Sequence, residues 1–123
     1  MAARAVRAIR GAIQVEHNDR DEILQGTAEL VAAVMERNHV VADDLISIVF
    51  TATDDIHSIF PATAARKFGL GDVPLICARE LEIDGATPRC IRVLVHLMTE
   101  RSRRELHHVY LEGAKGLRDD LPE

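Results

Sequence analysis

The chain is 123 residues long, 47% hydrophobic and 28% charged, with a formal net charge of −5. That length fits one compact domain over residues 1–123 with a true core, and the composition excludes disorder throughout. Fifteen basic against twenty acidic residues argue against nucleic-acid binding through a diffuse positive field, and two cysteines (Cys77, Cys90) exclude a disulfide scaffold or CxxC metal site.

The basic start (Arg4, Arg7, Arg10) lacks the apolar stretch of a secretory signal, and no apolar run approaches the roughly 20 residues of a membrane span. A cytoplasmic domain with no membrane contact is the expectation. Residues 4–15 are rich in β-branched side chains and read as a first strand. Asp19 then caps a helix, with Glu22 at capping-box spacing. Ile23, Leu24, Thr27, Leu30, Val31, Val34 and Met35 form its apolar stripe, and Asn38 is the expected left-handed residue after its end. Residues 45–51 read as a second strand, Thr53-Asp54-Asp55 as a turn, and Pro61 opens a short helix through Phe68 that Gly69 ends. Val73 to Glu80 predicts a third strand, Asp84-Gly85 a hairpin-type turn, and Cys90 to Met98 a strongly apolar fourth strand. Leu106 to Tyr110 closes the set as a last strand, with a helical turn from Glu112. The order β-α-β-α-β-β-β gives an α+β domain, a mixed β-sheet with two main helices on one face. The other sheet face is too apolar in places for solvent, which points to self-association.

Three charges lie in apolar strands: Arg10, Arg92 and Glu80. A charge there is costly unless paired or bound. Two readings stay open: a structural Glu80–Arg92 ion pair with Arg10 reaching to water, or convergence of all three on an anionic ligand. Thirteen of the fifteen basic residues are arginine, whose planar fork grips carboxylates bidentately, although a high-GC genome gives the same bias. The histidines show no metal-ligand spacing: His107 and His108 are adjacent and point to opposite faces of a strand, and His96 shares the face of Arg92. No metal is expected. Cys77, taken alone, reads as a small core residue. Phosphate-binding glycine loops and nucleophile elbows are missing from the sequence.

Five segments in register carry a resemblance. Ile9-Arg10-Gly11-Ala12, the run from Ala52 to Ala62 (ATDDIHSIFPA), Val73-Pro74, Cys90-Ile91-Arg92-Val93 and His108-Val109-Tyr110-Leu111-Glu112 together resemble the monofunctional chorismate mutases of the AroH class. The likeness runs from about Arg7 to Leu121. It implies an isomerase that turns chorismate into prephenate by a Claisen-type rearrangement in aromatic amino-acid biosynthesis, without a cofactor. It also implies a homotrimeric pseudo-α/β-barrel with active sites between subunits. Within that resemblance Arg92 meets the ether oxygen and Glu80 the ring hydroxyl, with Cys77 and Ile76 close by. Arg10 and Tyr110 hold a carboxylate; Phe60, Ala62 and Arg66 come from the neighbouring subunit; Leu117 and Arg118 close the pocket. Thr63 stands where the family can carry lysine, and Ile76 where threonine is common. A non-catalytic trimer that binds a small anionic metabolite is the alternative, since such a fold need not be an enzyme.

Overall fold

Strand β1 (Ala5–Gln14) runs through the interior of a five-stranded sheet, and helix α1 (Arg20–Arg37) lies across it. These come from a computed structural model that describes residues 3–117. Strand β2 (Leu45–Ala52), helix α2 (Ala62–Ala65), β3 (Leu75–Arg79), β4 (Cys90–Thr99) and β5 (Val109–Leu111) follow. The sheet order is β3-β2-β4-β1-β5. β4 is antiparallel to both β1 and β2, whereas the outer pairs β1–β5 and β2–β3 are parallel. This is the expected α+β mixed sheet, with both helices packed on one face.

Alternation along the strands builds the core. Ile9 and Ile13 of β1, Ile48 and Phe50 of β2, and Ile91, Val93 and Val95 of β4 turn toward the helices and are almost wholly buried. Ile23, Thr27, Leu30, Val31 and Val34 of α1 meet them, as the apolar stripe predicts, and Leu24 and Met35 flank the stripe half-buried. Each fully buried aliphatic side chain contributes about 1.5–3 kcal/mol relative to exposure. Gly11 lets the layers close: a Cβ there would sit 3.1 Å from both Leu30 and Val93 and 3.2 Å from the Val109 carbonyl.

The cap at Asp19 forms, with its carboxylate accepting the Glu22 N–H at 3.0 Å. Glu22 does not complete a capping box; its Oε1 accepts the N–H groups of Glu16 and His17 instead, fastening the β1–α1 turn. The left-handed residue after α1 is His39 (φ 52°), while Asn38 has φ −110° and is buried for another purpose. Its amide donates to Val34 O and His107 O, and its oxygen accepts His107 N–H. That clamp holds residues 106–108 out of regular pairing, so β5 starts only at Val109 and not at Leu106. The short helix after Pro61 gives way to a π-type turn over Arg66–Leu70, with Gly69 at φ 104°. The third strand begins at Leu75, later than Val73, whose N–H closes a turn on Leu70 O. Asp84-Gly85 makes no hairpin, because β2 lies between β3 and β4.

Candidate active site

One row of residues crosses the face of the sheet away from the helices. Ala78 pairs with Thr51, Thr51 with Arg92, Arg92 with Ala12, and Ala12 with Tyr110, one position on each of the five strands. The core residues Phe50, Ile91, Val93, Ile13 and Val109 flank these positions, so strand alternation sends the row to the opposite side. Glu80 follows β3 and is held by its N–H on Ala52 O at 3.0 Å. Its Oε2 accepts the Thr51 hydroxyl at 2.7 Å and lies 3.3 Å from Arg92 Nε. The Arg92 Nε–H is buried and finds no aligned acceptor among the described residues, so the contact with Glu80 is an ion pair without a good hydrogen bond. The Glu80 side chain is 13% exposed and that of Arg92 38%, so the carboxylate is fixed while the guanidinium still reaches the open face.

A small second core supports the row from the β1–β5 side. Ala12, Cys90, Tyr110 and Ala114 are buried together, and Leu117 packs against them. The Tyr110 hydroxyl is buried and meets no hydrogen-bond partner among the described residues. An unsatisfied buried hydroxyl costs about 1–3 kcal/mol, which a polar ligand would recover. Burial pushes the Cys90 thiol up, only partly offset by the Arg92 guanidinium beside it. Cys90 therefore stays a neutral thiol at neutral pH beside the Arg92 guanidinium. Arg10 sits one row along on the same face, opposite Leu94.

The start of β4 is gripped by the turn after β2. Asp55 accepts the Arg89 N–H with both carboxylate oxygens, at 3.1 and 3.0 Å, and the Thr53 hydroxyl accepts Cys90 N–H at 3.0 Å. Arg89 is held at φ 47° three residues before Arg92, which pairs with Thr51. Sequence pattern alone does not mark Thr51, Thr53 or Asp55 as site residues. The ATDD run holds Thr53 and Asp55, with Thr51 just before it, but only the β2–β4 register shows that they aim Arg92.

The other expected residues lie elsewhere. Ile76 is on the open face of β3 and 62% exposed. The β2–β3 register is unbroken, so Cys77 turns the opposite way from Glu80 and packs on the main core. It lines a groove of about 500 Å3 beside Phe60 and Arg79. Phe60 is 70% exposed, Ala62 is buried and Arg66 exposed; they lie in and beside α2, and Phe60 shares a groove with Ala78 of the row. Arg118 lies outside the described residues. His96, on the row's face, bonds Ser47 at 3.2 Å.

A second cleft of about 350 Å3 is lined by Glu16, Glu22, Glu29 and Glu112 with Arg89. Its acidic lining repels anions. Glu16, His17 and Glu22 place ligand atoms within 4.8 Å of one another, but the Glu22 oxygens are already occupied by the turn they fasten. No helix among the described residues is long and apolar enough to cross a membrane.

Known proteins resemble this chain in sequence and in fold. The chain matches the family described as chorismate mutase type I over residues 6–121. It is 39% identical to chorismate mutase AroH of Bacillus subtilis over 117 residues, 94% of this chain and 92% of the relative. With chorismate mutase AroH of Thermus thermophilus it shares 44% over 94% of this chain and 96% of that one. A solved chorismate mutase from Clostridium thermocellum superposes with a TM-score of 0.87 at 43% identity, covering 89% of this chain and 97% of its own. The row of Thr51, Arg92 and Tyr110, with Glu80 beside it, thus sits in a chain that belongs to the chorismate mutase type I family.

Proposed function

We propose that the chain isomerises chorismate to prephenate, and that Arg92 and Glu80, fixed together on the open sheet face, carry the chemistry. The observation that carries this reading is their 3.3 Å contact, with Thr51 holding the carboxylate from behind. The reaction is intramolecular and concerted: one C–O bond breaks as one C–C bond forms, with no proton to move and no nucleophile or cofactor required. Catalysis then consists of holding a compact conformer and placing charge where charge develops. Negative charge grows on the ether oxygen, and a fixed guanidinium there stabilises the transition state more than the ground state. Glu80 accepts the ring hydroxyl and holds Arg92 in place.

Arg10 and the Tyr110 hydroxyl bind a substrate carboxylate, which gives that buried phenol its missing partner. Leu117, packed under Tyr110, and Arg118 close the pocket, with Ile76 at its rim. The open face holds Val6, Ile76 and Leu94 at 58%, 62% and 37% exposure, too apolar to be left in water. A homotrimer covers it and brings Phe60, Ala62 and Arg66 of a neighbour toward the row, with Cys77 of the groove beside that seam. The enzyme works in the cytoplasm. Adding the purified protein to chorismate and following the loss of its ultraviolet absorbance tests the activity. Absorbance decaying at the uncatalysed rate would refute it.

A further inference from the structure

Arg10 gives its backbone N–H to an imidazole. His108 Nδ1 accepts it at 2.9 Å. The β1–β5 ladder begins one residue later, at Gly11 and Val109, and β5 is only three residues long. The imidazole therefore supplies an acceptor just before the point where the strand's own backbone takes over. Because the donor is an amide, Nδ1 carries no proton in this bond, and a neutral ring holds its proton on Nε2.

The backbone next to the ring is itself held. His107, one residue earlier, donates its N–H to Asn38 Oδ1 at 2.6 Å and accepts from Asn38 Nδ2 at 2.9 Å. Asn38 is 1% exposed and also grips Val34 O, so residue 107 is tied to the last turn of α1. His108 is half-buried beside it. From α1 the chain of contacts runs through Asn38, His107 and His108 to the main chain of Arg10. Fixing that N–H fixes the backbone from which the Arg10 side chain departs, and a side chain this long amplifies any small rotation at its root.

We infer that His108 is a positioning residue for substrate binding, aiming Arg10 at a carboxylate by holding its main-chain N–H. This rests on the reading of Arg10 as a carboxylate ligand. A carboxylate is present in substrate and transition state alike, so misaiming Arg10 weakens both equally and raises KM with little change in kcat. A merely structural role would lower the folded fraction and leave KM unmoved.

The test is steady-state kinetics on His108→Leu and His108→Asn, each alone and combined with Arg10→Ala, with exchange of the Arg10 amide followed by nitrogen-15 NMR. Asparagine places an amide oxygen near the Nδ1 position and can accept the same N–H. His108→Leu should raise KM roughly tenfold with kcat within about threefold, and speed exchange of the Arg10 amide at least about tenfold. His108→Asn should restore KM to within about threefold, and His108→Leu should add nothing to Arg10→Ala. A raised KM in Arg10→Ala beside an unchanged KM in His108→Leu would overturn the proposal alone, as would His108→Asn failing as badly as His108→Leu. An unchanged KM in Arg10→Ala would overturn the carboxylate reading and the proposal with it. Should the leucine variant not fold, His108→Ala against His108→Asn makes the same comparison.

Discussion

The two faces of this sheet are built from alternate residues of the same strands and do opposite things. Facing the helices, Ile9, Ile48, Phe50, Ile91 and Val95 are sealed from water at 2% exposure or less. Facing away, Thr51, Arg92 and Tyr110 form a polar row among exposed apolar neighbours such as Leu94 and Ile76. On the first face the gain from burial is taken when the chain folds. On the second, charge and the unsatisfied Tyr110 hydroxyl are kept in place at a cost that a polar ligand would recover. One residue of parity separates a core residue from one of the open-face row, as Ile91 and Arg92 show.

The comparison sharpens into separable effects. Phe50→Ala empties the centre of the helix-covered face and should destabilise the fold by about 3–5 kcal/mol, read from chemical denaturation, while kcat per folded molecule stays near normal. A loss of kcat in fully folded protein would mean that the two faces are mechanically coupled.

If the open face is covered by a neighbour, Arg66→Ala and Arg92→Ala should complement each other. In a closed ring with random mixing, roughly a quarter of the clefts receive neither defect, so co-expressed mixed trimers should regain about that share of activity. No recovery in mixed trimers verified by mass would place both residues in one cleft from one chain.

The smallest expected effect concerns the turns that hold the first face. Although desolvation works against it, hydrogen bonds from the His17 and Glu16 N–H groups and the His17 ring keep the Glu22 carboxyl below its usual 4.5. Glu105 is held below 4.5 by the Ser102 N–H. Folded values below unfolded ones mean that this stabilisation is complete above about pH 5 and is lost as pH falls through the lowered values. Melting temperature should drop on acidification from pH 5 to 3, and the drop should be shallower in Glu22→Gln. Equal slopes in the two proteins would remove Glu22 as a contributor.

The sequence discloses α1 well because its information is local: Asp19 at the cap, then Ile23, Thr27, Leu30, Val31 and Val34 at helical spacing. Alternation likewise shows that Cys77 and Glu80 face opposite ways, and the structure keeps that alternation. What the sequence conceals is non-local. That β3 pairs with β2 and not with β4 turns the Asp84-Gly85 hairpin signal into an ordinary loop. The pairing of Arg10 with His108 spans 98 positions, and that of Asn38 with His107 spans 69. Polar partners so far apart leave no spacing to read. Charges set in apolar strands mark Arg92 and Glu80, and the family resemblance adds their roles, but the contacts of Thr51, Asp55 and Asn38 appear only in the folded chain.

The central claim is that the fixed cation of the open face stabilises charge on the breaking C–O bond. The most direct measurement is kcat for chorismate conversion by Arg92→Ala, with its melting temperature recorded alongside. Loss of one such donor should lower kcat by at least about 10²–10³ while the melting temperature stays near that of the parent. Arg92→Lys should recover only part, because a mobile point charge does not reproduce the guanidinium fork. A folded Arg92→Ala protein with near-normal kcat would contradict the account.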